Sequence, residues 1–172
     1  MLKGLEYAGI FIAMVLLQVL LFNNIQIGGF LNIYGYLLFV LLLPMNIPGW
    51  ALLLCAASIG VSVDFVCGMA GINTIATVFV AFIRPLMLRL FVGRDEIADG
   101  GVPSSGRIGM RRFVLYAGTS VLVQNTIIFM LEVLSFENFA YTAFRIAVST
   151  IVSVAVICFC QLPLYRKREI NG

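Results

Sequence analysis

The sequence predicts an all-α integral membrane protein, a bundle of six transmembrane helices, and three observations predict it. Composition is the first: of 172 residues, 62% are hydrophobic and 11% charged, against roughly 45–50% and about 25% in soluble domains, with a mean hydropathy of +1.07. A chain of this length buries only about 70% of its surface on folding, so lipid must cover much of the apolar remainder. Segmentation is the second, because apolar runs near the ~20 residues that cross a bilayer recur six times, at approximately 5–22, 30–44, 50–68, 74–92, 111–134 and 139–164. The third is the lopsided placement of Arg and Lys, which fits an even number of crossings.

The first run, Tyr7 to Phe22, is followed by Asn23, Asn24, Gln26, Gly28 and Gly29 rather than by a small-residue cleavage site; it is expected to be a retained helix with a polar turn behind it. The second begins at Phe30 and is broken by Pro44-Met45-Asn46-Ile47-Pro48-Gly49, where two prolines with Asn and Gly mark a tight connection. Trp50 opens the third run at the depth where headgroups begin. Gly68-Met69-Ala70-Gly71 predicts the next turn, with Asn73 and Thr74 as candidate caps of the fourth helix. That helix carries Arg84-Pro85, and proline there removes a helix hydrogen bond and should kink the chain. Residues 93–110, GRDEIADGGVPSSGRIGM, form the one long polar stretch, a loop too short and too poor in apolar residues to fold alone. Arg111-Arg112 open the fifth run, and the sixth ends in Arg166-Lys167-Arg168.

With six spans, Lys3, Arg89, Arg94, Arg107, Arg111, Arg112, Arg166, Lys167 and Arg168 share one side and Arg145 lies on the other. The expectation is a multi-pass protein with both termini and the 93–110 loop in the cytoplasm. These basic residues act as topology determinants against anionic headgroups; no aromatic side chains are interleaved with them as nucleic-acid binding would need.

The same composition excludes much chemistry. There is no histidine, which removes His-based nucleophiles, relays and metal sites. The cysteines, Cys55, Cys67, Cys158 and Cys160, form no CxxC and read as small apolar residues on membrane helices. No phosphate loop or nucleophile elbow is present. The chain is expected to be no enzyme and to need no cofactor or metal.

Charges at bilayer depth are costly, about 2.5–3.5 kcal/mol each on insertion scales, so Asp64, Arg84 and Arg145 should be paired and face the bundle. Depth matches Asp64 with Arg145; Arg84 can also extend toward Asp64, and Glu132 is a second candidate for Arg145. The resulting intramembrane polar cluster of Asp64, Arg84, Pro85, Glu132 and Arg145 is read as helix docking or partner docking. Gly9 and Ala13 add a small-xxx-small face on the first helix.

From Asp64 to Leu88 the string DFVCGMAGINTIATVFVAFIRPLML resembles the bacterial rod shape-determining membrane protein family MreD. The matching positions are Asp64, Gly68, Gly71, Asn73, Thr77, Phe79, Phe82, Arg84 and Pro85, with Gln18, Asn23, Gly28-Gly29 and Pro44 upstream. The resemblance is specific between about Gln18 and Arg89; beyond Gly93 it is one of topology. It implies a fold similar to the substrate-binding subunits of energy-coupling-factor transporters. It also implies a non-enzymatic inner-membrane scaffold for lateral peptidoglycan synthesis, binding MreC and through it MreB, RodA and a penicillin-binding transpeptidase. Self-association is possible for such a protein. The alternative from a different class is a transport subunit that takes a vitamin-type solute into an outward pocket around Asp64, Arg145 and Glu132.

Overall fold

The computed structural model describes residues 35–132 and 139–171, with side chains at 35–131 and 143–159. Among the described residues the fold is all-helical, without strands. In chain order the helices are α1 (Leu37–Leu41), α2 (Gly49–Cys67), α3 (Ile72–Phe91), α4 (Arg94–Ala98), α5 (Ser105–Ile108), α6 (Met110–Glu132) and α7 (Phe139–Asn171). Three of them, α2, α3 and α6, are long and apolar enough to cross a membrane, and α7 carries a shorter apolar stretch, Ala143–Phe159. The expected first span and residues 30–34 of the second lie outside the described residues, as do Gly9, Ala13 and residues 133–138.

α2 starts directly after Pro48, whose extended conformation (φ −64°, ψ 142°) launches the helix. It ends at Gly68, left-handed with φ 67°, and α3 begins after Gly71 with φ 87°. Both positions need a residue without Cβ, so the Gly68–Gly71 turn expected from sequence is the turn observed. α3 then runs through Pro85 unbroken to Phe91. Pro85 lies on the exposed face of the helix, where the ring displaces nothing in the bundle.

Side-chain burial is inverted relative to a soluble protein. The outward face of α3 presents Ile75, Phe79, Phe82, Leu86 and Leu90, whereas the inward face holds Asn73, Thr77 and Arg84 beside Ala76, Val80 and Ala81. Phe65 on α2 is 88% exposed and Phe159 on α7 is 74% exposed. Large apolar side chains outside with polar ones inside is the arrangement a lipid solvent requires; the described helices belong to a membrane-embedded protein.

Neighbouring helices pack in sequence, α2 on α3, α3 on α6 and α6 on α7. The closest approach is at Gly60 of α2, where an added Cβ would stand 2.6 Å from the Thr74 Cα. Ala56, Gly60 and Asp64, spaced by four, line this buried face.

The structure adds detail at what we term the loop end, where α3 stops and α6 starts. The described part of the second run is helical only over Leu37–Leu41, because Pro44 and Pro48 lack the amide hydrogens that would carry the helix on. The 93–110 loop does not stand apart: α5 packs against α6 and α7, Ile108 is buried, and the Met45 amide donates to the Gly101 carbonyl at 2.8 Å. The 42–48 turn and this loop therefore cover one end of the bundle. α7 continues to Asn171, seven residues past the expected end at 164; Arg, Lys and Glu extend a helix readily. At ~1.5 Å per residue its 33 residues reach about 50 Å, well beyond a hydrocarbon core of about 30 Å.

Candidate functional site

The turn end, at Gly68–Gly71, is organised by Asp64. Its Oδ1 accepts from the Asn73 backbone amide at 3.1 Å and from Asn73 Nδ2 at 3.0 Å. Its Oδ2 accepts from the Thr74 amide at 2.8 Å and from the Thr74 hydroxyl. Asn73 and Thr74 are the second and third residues of α3, two of the four whose amides lack a partner within the helix. Gly71, the N-cap, has no side chain to offer. Asp64 supplies the missing cap from the preceding helix, and its negative charge meets the positive end of the α3 dipole. Asn73 and Thr74, expected as caps, are instead the residues being capped.

The loop end is organised by Arg84, which is 1% exposed. Nη2 donates to the Leu41 carbonyl at 3.2 Å and to the Leu43 carbonyl, Nη1 reaches the Pro44 carbonyl at 3.5 Å, and Nε donates to the Tyr116 hydroxyl at 2.9 Å. Tyr116 in turn donates to the Leu41 carbonyl at 3.3 Å. These carbonyls end α1 and form the turn after it, so the guanidinium sits at the negative end of a helix. Arg84 lies seven residues from the end of α3, roughly 10 Å deep at ~1.5 Å per residue. Irregular backbone at that depth is tolerated only where protein satisfies it, and Arg84 and Tyr116 do so.

Asp64 and Arg84 therefore do not meet. From Thr74 to Arg84 is ten residues along α3, about 15 Å, and both carboxylate oxygens are already occupied. The expected pairing of Asp64 with Arg84 or Arg145 gives way to two separate charge-to-helix-end contacts, because a helix terminus satisfies a buried ion without desolvating a second one. Arg145 on α7 places its guanidinium carbon 4.6 Å from the ring centroid of Phe129, a cation–π distance. The Glu132 side chain lies outside the described residues.

Between the two ends runs a polar seam. The Tyr36 hydroxyl donates to Asn73 Oδ1 at 3.2 Å and accepts from Gln124 Nε2 at 2.7 Å and from the Thr77 hydroxyl at 3.3 Å. Tyr116, Ser120 and Gln124, spaced by four on α6, are all fully buried and lie toward the α3 side. Beside them Asn125 Nδ2 donates to Thr150 of α7 at 2.9 Å. The interhelical bond expected of Asn125 is present, Gln124 bonds instead to Tyr36 at the N-cap of α1, and among the described residues Gln124 Oε1 and Asn125 Oδ1 have no partner.

Tyr36 and Tyr116 escaped the sequence reading. A phenol within a membrane span needs a polar partner for its hydroxyl, and that signal would have found both. Of the remaining singled-out positions, Gly71 ends the turn, Asn73 joins Asp64 to the seam, and Phe82 points outward, 70% exposed. Among the described residues no three His, Cys, Asp or Glu side chains converge as a metal centre requires. Comparison of the chain with known protein families, with characterised proteins and with solved structures returns no match.

Proposed function

We propose that this chain is a non-enzymatic membrane scaffold of the MreD kind. It would sit in the bacterial inner membrane as a six-span bundle with both termini in the cytoplasm, folded like an energy-coupling-factor substrate-binding subunit. There it binds MreC and through it serves MreB, RodA and a penicillin-binding transpeptidase in lateral peptidoglycan synthesis. The observation that carries this reading is the fate of the Asp64–Pro85 stretch. Its polar members Asp64, Asn73, Thr77 and Arg84 are spent on holding α1, α2, α3 and α6 together. What the same stretch offers outward is apolar, Phe79 and Phe82 above all, a surface suited to another membrane helix.

The transporter alternative draws no support from Asp64, whose oxygens already accept four hydrogen bonds within the protein. Photo-crosslinking from positions 65, 79 and 82 in native membranes tests the scaffold. It should capture the membrane anchor of MreC from at least one of them. Capture from none, together with full cell elongation after deletion of the gene, would end the proposal.

A further inference from the structure

We propose that the loop end carries a binding site for the phosphate of an anionic phospholipid, built from the Arg107 guanidinium and the Asn46 carboxamide. Both donors lie over one diglycine turn. A Cβ added at Gly101 would stand 2.1 Å from Arg107 Nη1, and one added at Gly100 would stand 2.3 Å from Asn46 Nδ2. Gly100 and Gly101 are adjacent in the chain, so the two side-chain donors pack on neighbouring residues of one turn. Any larger residue at either position would push its donor away.

Neither donor is used among the described residues. Arg107 and Asn46 make no side-chain hydrogen bond or ion pair with the described residues, whereas nearby Arg112 is tied to Glu96 at 3.0 Å. Arg107 is half-buried in α5 and cannot sweep freely through solvent. A planar guanidinium close to an amide donor, with no acceptor among the described residues, matches a tetrahedral phosphate, which guanidinium binds through two parallel bonds.

The surroundings select lipid over a dissolved anion. Trp50, 69% exposed and four residues from Asn46, and Leu90 at the end of α3 both face outward at the same end of the bundle. Exposed Trp marks the headgroup level. Exposed Arg89, Arg94 and Arg111 at the same end add positive potential that draws anionic lipid. This site depends on membrane embedding alone and is independent of the scaffold reading.

Native mass spectrometry of the full-length protein, released from detergent with equal phosphatidylglycerol and phosphatidylcholine, tests it. Wild type should retain phosphatidylglycerol selectively. Arg107→Gln should lower that retention about tenfold, the usual cost of one charge-assisted pair, with Asn46→Ala intermediate and Arg111→Gln within about twofold of wild type. Should Arg107→Gln not fold, Arg107→Lys serves: it keeps the charge, loses the fork, and should still lose most of the selectivity. Equal losses for the Arg107 and Arg111 variants would reduce the site to diffuse charge and overturn the proposal. Displacement of the lipid by equimolar inorganic phosphate would overturn it too, in favour of a soluble-anion site.

Discussion

The two ends of the bundle solve the same problem with opposite charges. At the turn end a carboxylate, Asp64, rests on the amides that open α3; at the loop end a guanidinium, Arg84, rests on the carbonyls that close α1. In both places a helix terminus supplies the counter-charge, so neither ion needs a second ion beside it in the membrane. The ends differ in reach. Asp64 is served by residues nine and ten positions away, across one four-residue turn, whereas Arg84 gathers groups 32 to 43 positions away on three segments. A local cap holds one helix pair; a long-range clamp holds the tertiary fold, and its loss should cost more.

Substitutions can break that contrast. The largest effect is expected for Arg84→Met, which leaves the Leu41, Leu43 and Pro44 carbonyls and the Tyr116 hydroxyl without their donor. A loss of about 3–5 kcal/mol follows from stripping a buried charged hub, read as collapse of steady-state abundance and of thermal stability in detergent. Gly60→Ala should cost about 1–3 kcal/mol, because the Thr74 backbone rather than a movable side chain stands in the way; the paired change to smaller residues at 74 should not rescue it. Asp64→Ala should cost about 1–2 kcal/mol, the range of a helix cap with a dipole contribution, and Asp64→Asn about half of that, measured in the same unfolding assay. Tyr116→Phe should cost about 1 kcal/mol, since Arg84 keeps its carbonyl partners. The smallest effect belongs to Gln124→Leu, within about 0.5 kcal/mol, because it removes an unpartnered Oε1 together with one donor to a Tyr36 hydroxyl that Thr77 also serves. If Asp64→Ala proved more damaging than Arg84→Met, the distinction between local cap and long-range clamp would fail.

How much of this the sequence disclosed follows from the same distinction. The turn at Gly68–Gly71, the starts of α2 and α6 and the full run of α3 were legible, because glycine, proline and apolar length act over a few residues. That Asp64 and Arg84 face inward followed from the cost of charge in lipid. Their partners did not follow. Depth along separate spans ranks side chains against each other, yet backbone carbonyls are candidates at every depth and leave no mark in the sequence. Arg84 chose three of them. The short α1 was hidden for a related reason: Phe30 to Leu43 is apolar throughout, and composition does not reveal that the carbonyls of Leu41, Leu43 and Pro44 turn inward onto Arg84. The 93–110 loop looked unable to fold alone, and it does not fold alone; the Gly101 carbonyl ties it to the 42–48 turn, and α5, with Ile108 buried, packs it against α6 and α7.

The central claim is that the two membrane-buried charges of α2 and α3 are neutralised by helix ends and not by one another. A double-mutant cycle on Asp64→Asn and Arg84→Gln, read by equilibrium unfolding in detergent, tests it directly. Sites ~15 Å apart with separate partners should give additive losses, with a coupling energy under about 0.5 kcal/mol. A coupling above about 1 kcal/mol, the double variant being more stable than the sum of the single losses allows, would mean that the carboxylate and the guanidinium hold each other and would contradict the account.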